Sequence, residues 1–374
     1  MKTLYLHIGT MKTGTTAIQT FLEKNSEFLE RQSCVYPIFP YKFKNRAHRR
    51  NGNFLDLVYT DSRGDSSEER NHQMVEDCLG TIKKLFKKYD KVVLSDEILF
   101  WNLRKNKYRR RTEMLLKCAE ENKFTIKVIV YFRKQSELLD AHWNQLIKQN
   151  SVSKSFEEFK KEQIEKEKYD YYGRLTEISK LFGKENIIVR RFQKYSLVGG
   201  SSVTDFLNII GIKIPENIDT SIGSTEKNVR LSDNLANIKR YINLFSDATR
   251  DGTDIARKAF EKAEKRGPNN EYRSFMLSPE EIKEFMEIYN EGNDRVAKEY
   301  ICDGKPLFDE EIKDVEKWQI DNPAILEDVI KSYGAMFGEI LEVLEKQDDR
   351  IKELEKKSKK RSIIKKIKNR KKQS

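Results

Sequence analysis

Lys12 lies in a run of small and hydroxyl-bearing residues near the start of the chain, GTMKTGTT at 9–16. One cation, several hydroxyl groups and two glycines are the residue types that surround a bound phosphate. Before this run, residues 4–8 alternate as in a strand, and after it residues 17–23 have the apolar spacing of a helix. A loop between a strand and a helix start collects backbone N–H groups, so the sequence predicts an anion site here.

The position of the lysine distinguishes this loop from that of the nucleotide-triphosphate-binding proteins. Their motif, G-x-x-x-x-G-K-[ST], has its lysine directly after the second glycine. Gly9 and Gly14 have the required separation, but Thr15 stands at the lysine position and Lys12 lies inside the loop. The loop therefore resembles the 5′-phosphosulfate-binding loop of the sulfotransferases that use 3′-phosphoadenosine 5′-phosphosulfate (PAPS). The run HIGTMKTGTTAIQ resembles the start of their bacterial carbohydrate-type members.

This resemblance implies an α/β fold of the P-loop type, in which a parallel sheet is flanked by helices. It implies PAPS as co-substrate, no metal, and a carbohydrate or glycolipid as the acceptor of the sulfuryl group. Lys12 would neutralise the oxygen that bridges phosphate and sulfate. The loop residues implied to bind the co-substrate are Gly9, Thr10, Lys12, Thr13, Gly14, Thr15 and Thr16.

A second anion site is expected after the run TIKVIVYF at 125–132, which predicts a central parallel strand. Arg133 follows it, at the edge where α/β sheets bind ligands. The resemblance implies that this arginine binds the 3′-phosphate together with a serine in the following helix. That serine position falls on Ala141. The candidates to replace the serine are Ser136, His142 and Asn144.

Two residues are candidates for the base that removes the proton of the acceptor. Glu97 follows the predicted buried strand KVVL at 91–94, where it serves either as acid/base group or as the cap of the next helix. His48 lies in an irregular, basic segment at 36–53, which either lines the acceptor cleft or is a solvated loop.

The resemblance extends over about residues 2–310 and includes the predicted strand at 186–192 with the helix after it. Arg190 and Arg191 end this strand, where they either face the ligands or form structural ion pairs. A helix capped by Ser278 is expected from Pro279 onward.

The composition limits the class of protein. The chain has 374 residues, of which 37% are hydrophobic and 35% charged. No apolar run reaches the ~20 residues of a membrane helix, and the first residues do not have the pattern of a signal peptide. The four cysteines are scattered, and neither they nor the four histidines have metal-ligand spacing. We therefore expect a cytoplasmic protein without a metal.

The net charge of +12 belongs almost entirely to the last residues. Residues 356–374 contain eleven Lys or Arg and no acid, which leaves about +1 for the rest, so we expect no nucleic-acid-binding body. Three isoleucines interrupt the basic run at helical spacing, so it is either an anchor on the anionic inner face of a membrane or a solvated tail.

Apolar residues from 326 to 354 recur in alternating steps of four and three, which is a heptad pattern. It predicts either self-association through 323–355 or a long helix packed on the body. The expected organisation is therefore a sulfotransferase domain at 1–320, a helical or coiled-coil extension at 321–355 and a basic tail at 356–374.

Two other functions are consistent with parts of the sequence. A P-loop kinase or nucleotide phosphotransferase would use Asp96 to hold Mg²⁺, but it needs the lysine that is missing at Thr15. A non-catalytic scaffold at a membrane would use only the coiled coil and the basic tail.

Overall fold

The computed structural model describes residues 1–44, 46–61, 63–103, 106–149, 152–215, 218–221, 230–245, 250–265, 272, 274–309 and 316–370. For 106, 107, 250–253 and 360–370 only the backbone is described. The chain divides into two compact units. Unit 1 comprises 1–142, 160–228 and 279–313, and unit 2 comprises 143–159, 229–278 and 314–374. The predicted domain boundaries at 320 and 355 stay a prediction.

Unit 1 is built on a five-stranded parallel sheet in the order β2-β3-β1-β4-β5. Its strands are β1 (Thr3–His7), β2 (Cys34–Val35), β3 (Lys91–Ser95), β4 (Thr125–Phe132) and β5 (Ile187–Arg191). Strand β1 is central, and its Leu6 pairs with Leu94 on one side and Val128 on the other. Because the strands are parallel, the loops after β1, β3 and β4 leave from the same edge. The predicted α/β class with a parallel sheet is confirmed.

The α-helices of the described residues are numbered here in chain order. They are α1 (Thr15–Lys24), α2 (Ser26–Glu30), α3 (Glu68–Leu85), α4 (Leu99–Asn102), α5 (Asn106–Glu121), α6 (Gln135–Gln149), α7 (Phe156–Glu165), α8 (Tyr171–Phe182), α9 (Ser202–Ile209), α10 (Asp233–Phe245), α11 (Arg250–Lys265), α12 (Pro279–Glu287), α13 (Asn290–Val296) and α14 (Ile325–Arg370). A π-helical turn at Ala297–Ile301 follows α13.

Helices cover the sheet on both faces. On one face, α1 and α9 bury Phe21 and Phe206 in a common apolar cluster with Ile129 and Tyr131 of β4. On the other face, α5 and α8 contact β4, and the ring of Phe132 stacks on Tyr171 with a centroid distance of 4.1 Å. Burial on both faces explains why β4 is a continuous apolar run rather than an alternating one.

Unit 2 contains α10, α11 and α14, together with a short parallel pair formed by β6 (Ser274–Phe275) and β7 (Glu316–Lys317). Helix α14 contacts both α10 and α11. The buried Asn234 of α10 donates to Asp328 of α14 at 2.8 Å and accepts from the indole of Trp318 at 2.8 Å. The long C-terminal helix is therefore confirmed, whereas its pairing as a coiled coil stays a prediction.

One predicted helix is interrupted. The helix expected from Pro279 to about residue 300 does begin at Pro279, but α12 ends at Glu287. There the amide of Tyr289 bonds to the carbonyl of Met286, three residues back, which is a tighter turn than an α-helix allows.

Within the described residues, no helix is long and apolar enough to cross a membrane.

Candidate anion-binding site at the carboxyl edge of the sheet

The first half of the glycine loop continues the pairing of β1 with β4. The amide of Thr10 donates to the carbonyl of Tyr131 at 3.0 Å, and the amide of Tyr131 donates to the carbonyl of Gly9 at 2.7 Å. The hydroxyl of Thr10 donates to the same Tyr131 carbonyl at 3.1 Å, and that of buried Thr13 donates to the carbonyl of Thr10. These two hydroxyls therefore hold the loop in shape.

Both glycines of the loop have positive φ, 98° for Gly9 and 75° for Gly14. A Cβ on Gly9 would lie 2.7 Å from the Cα of Glu97, and one on Gly14 would collide with Ser202 at the start of α9. The glycine positions are thus required both by backbone conformation and by close packing. The tight approach also places Glu97 directly beside the loop.

Lys12 also has a left-handed backbone, with φ of 63°, and it is only partly exposed. Burial, with smaller contributions from the charges of Lys168 and Lys12, lowers the pKa of His142 to about 4. The imidazole of His142 is neutral at pH 7 and bonds to the hydroxyl of Tyr169 at 3.0 Å.

Helix α1 begins at Thr15 with Gly14 as its N-cap residue, with no side-chain cap and no acidic residue in its first turn. The first amides of a helix have no acceptor within the helix, and this end of the helix carries a partial positive charge. Thr15 is buried and Thr16 is exposed. The loop thus combines uncapped amides with the Lys12 cation, which suits an anion rather than a cation.

Arg133 follows β4 immediately, as the sequence predicts. Its carbonyl accepts from the hydroxyl of Tyr171 at 2.8 Å, and its Nε donates to Glu137 one turn later at 3.0 Å. The side chain is 27% exposed. Ser136 is buried near the start of α6, and Ala141 is buried in the same helix. An anion at Arg133 would therefore compete with the Glu137 carboxylate.

Glu97 is bound through both carboxylate oxygens. Its Oε2 accepts from Nε2 of Gln19 in α1 at 3.2 Å, and its Oε1 lies 3.2 Å from Nη1 of Arg50. Arg50 also donates to both oxygens of Asp96, which is fully buried. Burial raises the pKa of Asp96 above its ordinary value, and the Arg50 guanidinium opposes this effect.

The capping alternative for Glu97 is wrong. Helix α4 begins at Leu99 without a side-chain cap, and it is Asp96 that accepts from the amide of Ile98, at 2.8 Å. Glu97 instead points toward α1 and Arg50, with 20% of its side chain exposed. It therefore stays a candidate for the acid/base group.

His48 is exposed, and its Nε2 lies 2.6 Å from the carbonyl of Phe39 in its own segment. The segment is folded against β3, because the amide side chain of Asn51 donates to the carbonyls of Pro37 and Val93. It is thus more than a solvated basic loop, and the role of His48 as base stays a prediction.

The sequence does not reveal the partners of Glu97. Gln19 lies 78 residues before Glu97, and Arg50 lies 46 residues before Asp96, the other acid that it binds. Gln19 also donates to the hydroxyl of Ser95 at 3.1 Å, which lies 2.9 Å from Nδ1 of buried His7. The signal available in advance is limited to Gln19, which lies three residues before Leu22 on the apolar side of α1, whereas His7 is on the strand face opposite Leu4, Leu6 and Ile8.

Burial lowers the pKa of His7 to about 3, so its ring is neutral. The Ser95 hydroxyl, which accepts from Gln19, also forms the hydrogen bond to Nδ1 of His7. This buried chain joins the ends of β1 and β3 to α1 behind Glu97.

Arg190 and Arg191 form ion pairs. Arg190 donates from Nε to buried Asp205 at 3.0 Å, and Arg191 donates from Nη1 to Asp303 at 2.7 Å. The hydroxyl of Tyr131 donates to Asp205 as well, at 2.8 Å. Of the two alternatives for these arginines, the structure places both in structural pairs.

Among the residues that the structure describes, no three His, Cys, Asp or Glu side chains are grouped as metal ligands.

Comparison with known proteins gives distant similarities. No protein-family model matches the chain. An uncharacterized protein of Archaeoglobus fulgidus is 28% identical over 175 residues, which are 46% of this chain and 45% of that protein. The chain thus matches less than half of this relative's length.

A crystal structure described as a sulfotransferase from Alicyclobacillus acidocaldarius aligns with a TM-score of 0.37 and 15% identity. The alignment covers 58% of this chain and 84% of that one. A similarity of this size carries no argument about activity.

Proposed function

We propose that this protein is a sulfotransferase that moves a sulfuryl group from PAPS to a hydroxyl or amine of an acceptor. The observation that carries the proposal is the position of Lys12, inside a tight Gly9–Gly14 loop and in front of an uncapped helix. Arg133 follows the neighbouring strand, so the same edge carries one cation for each of the two anionic groups of PAPS.

The residues present fit the two ends of PAPS. The amides of residues 13–16 and the ammonium of Lys12 would bind the 5′-phosphosulfate, and Arg133 with Ser136 would bind the 3′-phosphate. Since the hydroxyls of Thr10 and Thr13 are already bonded within the loop, their contribution is the shape of the loop and their backbone groups. The hydroxyls of Thr15 and Thr16 remain the candidates for direct contact.

The roles of the side chains follow from where charge changes during transfer. As in phosphoryl transfer, the protein positions the reactants and neutralises negative charge that grows on the leaving group. Lys12 would perform this task. Glu97 would accept the proton of the acceptor, since each of its bonded oxygens keeps a second lone pair. Gln19 and Arg50 would orient its carboxylate.

The acceptor proposed from the sequence resemblance is a carbohydrate or a glycolipid. A lipid-linked acceptor would agree with a peripheral position at the inner face of a membrane, reached through the basic segment 356–374. The described helix continues through this segment to Arg370, while residues 371–374 lie outside the described residues.

The surroundings of Asp96 argue against a nucleotide phosphotransferase. That enzyme class needs a carboxylate that can reach Mg²⁺ beside the phosphates. Asp96 is fully buried, and both of its oxygens accept from Arg50. Together with Thr15 at the lysine position, this favours sulfuryl transfer.

The test combines ligand binding with turnover. Adenosine 3′,5′-bisphosphate should raise the melting temperature, whereas ATP with Mg²⁺ should not. At 100 times its dissociation constant, a ligand that binds only the folded protein adds about 2.7 kcal/mol to the free energy of unfolding. With sulfur-labelled PAPS and a cell extract as source of acceptor, Lys12→Ala should lower transfer about 10²–10³-fold. The same charge change at the exposed end of α1, Lys24→Ala, should leave it unchanged.

Near-normal transfer by folded Lys12→Ala protein would contradict the assignment of Lys12. Stabilisation by ATP with Mg²⁺ and not by adenosine 3′,5′-bisphosphate would contradict the sulfotransferase itself.

A further inference from the structure

Helix α14 is buried on one side and exposed on the other. Asp328, Ser332, Ala335 and Glu339 are each at most 7% exposed, on the side that contacts α10 and α11. The opposite side carries large apolar residues that are between 41% and 69% exposed. These residues, here called the apolar stripe, are Leu326, Ile330, Tyr333, Phe337, Ile340, Leu344, Ile351 and Leu354.

The two sides are separated by nearly half a turn of the helix. With about 100° per residue, the stripe centres near the direction of Leu344, and the buried residues lie roughly 120–180° around the helix from it. The stripe therefore cannot pack on α10 and α11 while the buried side remains where it is. An exposed apolar surface of this size on a soluble protein marks an interaction site.

The spacing of the stripe selects the kind of partner. Ile330, Phe337, Leu344 and Ile351 recur every seven residues, and a second set follows each by three residues. They correspond to the a and d positions of a coiled coil, whose seam has a period of 3.5 residues. From Leu326 to Leu354 the seam is about 42 Å long. Its natural occupant is another helix with the same period.

The charges beside the seam select a second copy in parallel orientation. In a parallel pair, a residue at g faces the residue at e of the partner five positions later. Arg350 is at g and Glu355 is at e, so each copy would place an arginine opposite a glutamate. In an antiparallel pair that overlaps over the same residues, e faces e, which would bring Glu327 opposite Asp348 or Glu355 and leave Arg350 without this acidic partner.

We propose that α14 pairs with α14 of a second copy of this chain as a parallel coiled coil over residues 326–354. Gln347 occupies a d position in the middle of the apolar layers, and two such amides facing each other set the register. The glycines at 334 and 338 are at e and b, outside the seam. The pairing stands independently of the sulfotransferase proposal, because it uses only residues of unit 2.

The association is measured on the full chain by sedimentation equilibrium. The wild type should have twice the monomer mass of 44.2 kDa. Leu344→Glu, at the centre of the seam, should raise the dissociation constant more than about 100-fold, because a carboxylate would be buried without a partner. Phe245→Glu is the matched control, since Phe245 is 81% exposed on α10 and lies outside the stripe.

The orientation is tested by cysteine cross-linking in a Cys302→Ser background, which removes the one exposed thiol among the described residues. Gln347→Cys places the two thiols opposite each other only in the parallel register, so it should form a disulfide dimer on mild oxidation. Glu345→Cys, two residues away at a b position, should not.

Four results would overturn the proposal. A wild-type chain that is monomeric at tens of micromolar would remove the pairing. A dimer unaffected by Leu344→Glu would place the interface elsewhere, and a dimer with no disulfide at residue 347 would remove the parallel orientation. If the chain is a monomer that floats with phosphatidylserine vesicles, and Leu344→Glu abolishes this flotation, the stripe binds a lipid surface instead.

Discussion

Helices α1 and α14 have the same kind of apolar periodicity and opposite exposure. In α1, Ile18, Phe21 and Leu22 are at most 1% exposed, whereas in α14 Ile330 and Phe337 are both 64% exposed. The difference arises because the sheet covers the apolar side of α1, while α10 and α11 cover the polar and small-residue side of α14. Periodicity thus predicts which residues share a side of a helix, but not which side its neighbours cover.

The largest expected effect compares two phenylalanines. Phe21→Ala should lower the free energy of unfolding by about 3–5 kcal/mol, since it leaves a cavity between α1 and the sheet. Phe337→Ala removes the same ring from an exposed position. It should change the unfolding of the monomer by less than about 0.5 kcal/mol.

Urea unfolding at several protein concentrations measures both variants. The wild type should become more stable as concentration rises, because association stabilises the folded state, and Phe337→Ala should lose this dependence. Equal losses for the two variants at every concentration would contradict the difference in burial.

The second comparison is between the two candidate bases. The carboxylate of Glu97 is bonded to Gln19 and Arg50 and is mostly buried, whereas His48 is exposed. Glu97→Gln keeps the shape of the side chain but cannot take up the proton, so we expect a loss of about 10²–10⁴-fold in transfer rate. His48→Ala should have little effect, because His48 is exposed and its ring bonds to the carbonyl of Phe39 in its own segment.

Transfer rates with labelled PAPS, together with thermal shifts by adenosine 3′,5′-bisphosphate, separate the base from the binding of the co-substrate. A loss confined to His48→Ala would exchange the two assignments, and normal turnover by both variants would place the base elsewhere.

The smallest expected effects compare glycines in the two regions. Gly9→Ala should destabilise the protein by about 1–3 kcal/mol, because the new Cβ would meet Glu97 at a backbone φ of 98°. Gly338→Ala in α14 should instead stabilise it by up to about 1 kcal/mol, since a Cβ there meets no atom within 4 Å and alanine favours the helix. Thermal unfolding of both variants, compared with the wild type, measures these two changes in stability. Stabilisation by Gly9→Ala would mean that the loop is not tightly packed.

The local elements of the site could be predicted from the sequence. Gly9, Lys12 and Gly14 lie in one loop between a strand and a helix, and Arg133 follows a buried strand, so their neighbourhood is set by contiguous residues. The partners of Glu97 could not be predicted in this way. Gln19 and Arg50 reach it from a different helix and a different loop, and their selection depends on how the chain folds over β3.

The sequence by itself predicted the parallel α/β class, the glycine loop between β1 and α1 and the long last helix with its heptad period, because each depends on patterns within contiguous residues. The tertiary structure decided that Asp96 forms an ion pair with Arg50 and that Arg190 and Arg191 pair with acids. It also decided that the apolar side of α14 is exposed. These outcomes depend on which distant groups occupy the same space, and burial together with charge compensation selects among them only once the chain is folded.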